Sequence, residues 1–160
     1  PKDFFEPAKV YSVDDTYIIE YKIFVNEQPP RLPLDHTGAL QDSFRFWEEQ
    51  ELTSGNDGKK VIIKFVTTNL RSDASTWVTW VVRNLGEDVL GHANIGRGVV
   101  EVALGGYGCD GSFQLFTVDT VATIMTHELG HALGLRHSDD PDNIMYPTMK
   151  EVKYSYCLLS

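Results

Sequence analysis

Eleven consecutive residues restrict the folds open to this chain more than any other stretch: His127-Glu128-Leu129-Gly130-His131-Ala132-Leu133-Gly134-Leu135-Arg136-His137. His131 follows His127 by four residues, so a helix through the segment sets both imidazoles on one face, one turn apart. Glu128 is displaced by about 100° around the axis, close to the rings but off their line. Gly134 suits the end of that helix, because glycine takes a positive φ with no Cβ penalty. A turn there carries His137 back toward the other two rings. Three neutral imidazoles with a fourth position left to water are the ligand set of a catalytic zinc. The fold must therefore offer a helix, a sharp turn and a returning segment around one point.

The residues before the motif support the helix. Val118, Val121, Ala122, Met125 and Leu129 recur at three- and four-residue steps and predict a buried stripe. Thr117 is a candidate N-cap, and Asp119 suits the positive end of the helix dipole. On a helix, H-E-x-x-H pairs two zinc ligands with a general base. The expected metal ligands are thus His127, His131 and His137, and the expected catalytic residue is Glu128. The predicted function is a zinc-dependent endopeptidase using a metal-activated water. Two alternatives stay open. One is a catalytically silent scaffold that binds a partner; the other is a zinc hydrolase of a non-peptide bond.

The 160 residues suit one domain with a real core, and 42% of them are apolar. A formal charge of −9 argues against nucleic acid or an anionic membrane as partner. No apolar run approaches spanning length, and the first residues do not read as a signal peptide. A peptide or protein substrate, no membrane and a monomeric state are expected.

The chain order reads as a strand at Tyr17 to Val25, then an amphipathic helix from Asp35 to about Gln50 with Leu40, Phe44 and Trp47 inward. Leu52 to Lys60 is a polar loop. Strands follow at Val61 to Thr67, Trp77 to Val82, Val89 to Ile95 and Val99 to Leu104. A glycine-rich loop, Gly105 to Gly111, precedes the histidine helix; it lacks the ending of a phosphate loop. Trp77 and Trp80 are strand packing. This order predicts an α+β fold, with a mixed, mostly parallel sheet and two main helices on one side.

The long histidine motif, followed by Asn143-Ile144-Met145-Tyr146-Pro147, resembles the metzincin zinc peptidases, in which a methionine turn follows the third histidine. Within that clan, His137-Ser138-Asp139-Asp140-Pro141, Met145-Tyr146-Pro147 and Leu90-Gly91-His92-Ala93 resemble the matrixins, the matrix metalloproteinase type. The resemblance implies a zincin-like, five-stranded twisted sheet with one antiparallel edge strand. It implies an upper subdomain over residues 1–134 and an irregular lower one over 135–160. Met145 would be an apolar floor beneath the metal. Pro147 stands where related families place a tyrosine ligand, so none is expected. Leu90 and Gly91 would receive substrate along the edge strand, while Tyr146 and Pro147, with Thr148, would line the pocket for the residue after the cleaved bond.

The chain also departs from the resemblance. Only His92 matches a ligand of the matrixins' second, structural zinc, so one catalytic zinc is expected and His92 is read as a hydrogen-bonded edge residue. Asp139, Asp140 and Asp142, and likewise Asp110, are read as solvated rather than calcium-binding. His36 is read as a surface or capping residue. Cys109 and Cys157 are left as either a disulfide or two thiols. By the same resemblance a last helix is expected to follow near Ser160 and to be lacking here. A secreted or cell-surface location is implied.

Overall fold

A computed structural model describes residues 5–82, 85, 89–108 and 111–155. Cys109, Asp110 and Cys157 lie outside the described residues, and so does the question of a disulfide.

Strands β1 (Lys9–Val13) and β2 (Thr16–Val25) form a hairpin over Asp14 and Asp15, whose φ values are 48° and 65°. Helix α1 (Gly38–Glu48) follows, then the short β3 (Leu52–Thr53), β4 (Lys60–Thr67) and a 3-10 turn at Arg71–Asp73. Next come β5 (Thr76–Val81), β6 (Gly91–Ala93), β7 (Gly98–Ala103), and the two-residue strands β8 (Gly105–Gly106) and β9 (Gln114–Leu115). Helix α2 (Val118–Ala132) carries the first two histidines of the motif.

The main sheet runs β3-β4-β2-β5-β7-β6, with β1 beside the first half of β2. Its centre, β4-β2-β5-β7, is parallel, and the flanking strands β3, β1 and β6 pair antiparallel. The expected α+β class, the parallel centre and the antiparallel edge strand are all present. The strand count is corrected from five to seven, because β1 and β3 were not anticipated. The predicted strand at Val89 to Ile95 shrinks to β6. The glycine-rich segment is not wholly a loop, since β8 pairs antiparallel with β9.

Alternation along β5 and β7 turns Val78, Trp80, Val100 and Val102 into the core with Ile23 of β2. Trp77 points the other way, its ring centroid 4.8 Å from that of Phe5. Helix α1 contributes Leu40, Phe44 and Trp47, the predicted stripe. Helix α2 contributes Val121, Met125 and Leu129, all 0% exposed, while Val118 and Ala122 are partly buried. The Trp47 indole N–H donates to the Thr126 carbonyl at 2.8 Å, fixing α1 against α2. The histidine-bearing helix is thus packed between α1 and the β7–β6 edge of the sheet.

Among the described residues, no helix is long and apolar enough to cross a membrane.

Candidate metal centre

The start of α2 is set by its cap. Thr117 is extended, and its hydroxyl accepts the Thr120 backbone N–H at 3.2 Å. The tail returns to the same point: Thr117 N–H donates to the Lys153 carbonyl at 2.9 Å, and Lys153 N–H to the Thr120 hydroxyl at 3.1 Å. The other end closes at Gly134, with φ +103°. Gly134 N–H donates to the His131 carbonyl and Leu135 N–H to the Gly130 carbonyl, each at 2.9 Å, a Schellman closure.

That closure and the later turn fix both helical imidazoles. His131 Nδ1 lies 2.8 Å from the Leu135 carbonyl, and His127 Nδ1 lies 2.8 Å from the Ile144 carbonyl. A carbonyl oxygen only accepts, so each Nδ1 carries the proton and each Nε2 presents a lone pair. His137 Nε2 lies 3.2 Å from His131 Nε2. One ligand atom from each of the three residues falls within 4.8 Å of the others.

Zinc–nitrogen bonds of about 2.0–2.1 Å in a tetrahedron separate the nitrogens by about 3.3–3.4 Å, so the His131–His137 pair already has the spacing of two ligands of one ion. The donor set therefore fits zinc. Burial lowers the pKa of His127, with the Ile144 carbonyl opposing and the two neighbouring histidines adding to the shift. The shift favours the neutral ring that a metal requires.

Glu128 is 7% exposed, and burial raises its carboxyl to about 7. Its side chain lies against β6: a β-carbon built on Gly91 would come within 2.6 Å of Glu128 Oε2. Below the helix, Met145 is 4% exposed. A β-carbon on Gly130 would run into Met145 Sδ and approach Trp47 Cζ2 at 2.8 Å. Met145 thus lies under the helix at the turn that bears His131.

The remaining expected site residues spread around this centre. Gly91 lies in β6 and Leu90 just before it, where the Leu90 carbonyl accepts the Ala103 N–H at 2.9 Å. Tyr146 is half-buried, and Pro147 and Thr148 are exposed. His92 sits 3.9 Å from Glu101, beyond hydrogen-bond distance, which corrects its reading as hydrogen-bonded. His36 is corrected too: it is 0% exposed, its Nε2 lies 2.7 Å from the Phe116 carbonyl, and its Nδ1 has no partner. The acidic loop is tied internally, with Asp142 N–H donating to Asp140 Oδ1 at 2.9 Å and Lys150 pairing with Asp142. Sequence reasoning missed Asn143, whose Oδ1 accepts the Met145 N–H at 2.8 Å. An asparagine two residues before the turn methionine was the available signal.

A family model described as Matrixin matches residues 15–159. A 25-residue stretch is 76% identical to matrilysin of Felis catus, over 16% of this chain and 10% of that protein. A 38-residue stretch is 58% identical to matrix metalloproteinase-20 of Homo sapiens, over 24% of this chain and 7% of that protein. A 27-residue stretch is 63% identical to macrophage metalloelastase of Rattus norvegicus, over 17% of this chain and 6% of that protein. The chain therefore matches only a tenth or less of the length of each of these relatives.

Proposed function

Because this chain belongs to the matrixin family, we propose that it is a zinc-dependent endopeptidase. The observation that carries the reading is the convergence of His127, His131 and His137 beside the buried carboxyl of Glu128. The three histidines would hold the ion through Nε2 of His127 and His131 and one ring nitrogen of His137. When bound, zinc supplies Lewis acidity toward the scissile carbonyl and lowers the pKa of its water to about 7.

Glu128 handles the protons. Its carboxylate takes a proton from the attacking water and passes it to the leaving amine nitrogen as the peptide bond breaks. Its position against β6 sets it beside an extended substrate. Gly91 lies on, and Leu90 just before, the strand to which a peptide would add by main-chain hydrogen bonds. Such pairing reads little sequence, so selectivity falls to pockets, with Tyr146, Pro147 and Thr148 lining the one after the cleaved bond. Met145 serves as the apolar floor. Protein substrates and a secreted or cell-surface location go with this reading.

A quenched fluorescent peptide assay tests it. Cleavage should need zinc, stop with chelator and return on zinc addition. Glu128→Ala should keep zinc and lose about 10²–10⁴-fold in kcat. A zinc-loaded protein that cleaves no peptide in a broad library would leave the silent scaffold as the better reading. Full activity of Glu128→Ala would remove the proton-transfer role.

A further inference from the structure

We propose that Asn143 is a positioning residue that sets the orientation of one metal ligand, His127, and steadies a second, His137, through the turn that follows it. The proposal rests on the zinc reading for the roles of those rings, but its geometry stands apart from it.

One peptide unit carries the argument. Met145 N–H donates to Asn143 Oδ1 at 2.8 Å, and the Ile144 carbonyl faces His127 Nδ1 at 2.8 Å. The Ile144 carbonyl and the Met145 N–H belong to the same planar trans amide, so they point in opposite directions. Asn143 on one side and His127 on the other therefore hold a single plane at both edges. Rotating that plane to release Asn143 also turns the carbonyl away from His127. Each bond polarises the amide in the sense that strengthens the other.

The turn is closed by its own backbone. Tyr146 N–H donates to the Asn143 carbonyl at 3.0 Å, and Asn143 N–H to the Asp140 carbonyl at 3.0 Å. The Met145 carbonyl accepts the Ser138 N–H at 2.9 Å, one residue after His137. Met145 is thus bonded through its N–H to Asn143 and through its carbonyl to the segment bearing His137. His131 is different. Its Nδ1 bonds to Leu135 in the glycine closure of α2, which shares no partner with this turn. Asn143 itself is exposed, so its side chain is no part of the core.

The test uses the whole chain with ¹⁵N-labelled histidine. In wild type, both His127 and His131 should show Nδ1–H resonances slowed in exchange by their carbonyl partners. In Asn143→Ala the His127 resonance should be lost or exchange fast while that of His131 persists. Zinc affinity, read by competition with a chelating dye, should fall about 10- to 100-fold, the usual effect of losing a partner behind a ligand. Asn143→Asp keeps the acceptor oxygen and should restore both readouts. The proposal is overturned if His127 is unchanged in Asn143→Ala, if His127 and His131 loosen together, or if Asn143→Asp fails to rescue. A wild-type protein that takes up no zinc overturns the zinc reading instead, and the His127 resonance of the metal-free protein then decides the proposal.

Discussion

The Glu128 carboxyl occupies the space that a side chain on Gly91 would need: from an ideal β-carbon there, Oε2 lies at 2.6 Å, Cγ at 2.8 Å and Cδ at 3.0 Å. The site's carboxyl and the strand taken to receive substrate are therefore fitted to one another by the absence of one methyl group. The contact also helps to bury Glu128, which is what raises its pKa.

The first prediction follows from that fit. A single methyl meets mainly the far end of a flexible side chain, so Gly91→Ala should shift the carboxyl by a few tenths of an ångström and cost less than about tenfold in kcat/KM. Gly91→Val adds two further carbons where the carboxyl lies. It should cost about 100-fold or more with zinc content unchanged, since a general base misplaced by about 1 Å loses that much. Equal activity of the valine variant and wild type would show that Glu128 does not work from this position.

The burial of Glu128 gives a second prediction, for zinc-stripped protein. Its folded pKa of about 7 lies above the value of 4.5 that the carboxyl has when solvated. Below about pH 4.5 both states hold the proton and the group is neutral to stability. As pH rises toward 7 the unfolded chain ionises and the folded one resists, so stability is lost through that window and stays lost above it. Glu128→Gln should therefore be more stable than wild type at pH 8, by up to about 3 kcal/mol, with the difference vanishing near pH 4. Urea midpoints at the two pH values measure it. A glutamine variant equally stable at both would remove burial as the cause.

Local pattern and tertiary contact divide what the amino-acid sequence discloses about this site. The histidine spacing, the Thr117 cap, the Gly134 closure and the apolar stripe of α2 are local patterns, and each is found as read. The strand β1 was missed because its hairpin turns on Asp14-Asp15, without the glycine that normally marks two positive-φ residues, and its residues are mostly exposed with no alternation. The two residues of β3 are too few for any period to register. His36 was misread because nothing local says that Phe116, 80 residues away, offers its carbonyl. The partners of Gly91 and Gly130 are likewise tertiary facts, invisible until α2 meets β6 and the methionine turn.

Gly130 carries the third prediction. Its missing side chain lets Met145 and Trp47 close beneath α2, next to His131. Alanine is the better helix former, so an exposed site would gain about 1 kcal/mol from Gly130→Ala. Here the methyl meets Met145 Sδ and the Trp47 ring, and overpacking a buried contact costs about 1–3 kcal/mol. The net effect should be destabilising by thermal or urea unfolding. Met145→Ala removes one of the two colliding groups, leaving Trp47, but opens a cavity of its own, so the double variant should lose less than the sum of the two single losses. Strictly additive losses would place the strain elsewhere.

His36 supplies the last prediction. It lies just before α1, fully buried, and its ring N–H ends on the carbonyl of Phe116, one residue before the cap of α2. His36→Leu leaves that carbonyl without its donor, at about 1–3 kcal/mol. It also removes the ring's unpaired Nδ1, which already costs the native protein, so the net loss should fall at the low end of that range. The variant should unfold at lower urea yet bind zinc with wild-type affinity, because the damage is at the start of α2 and the ligands are at its far end. A selective loss of zinc at unchanged stability would instead make His36 part of the metal site, and the three-histidine assignment would have to be redrawn.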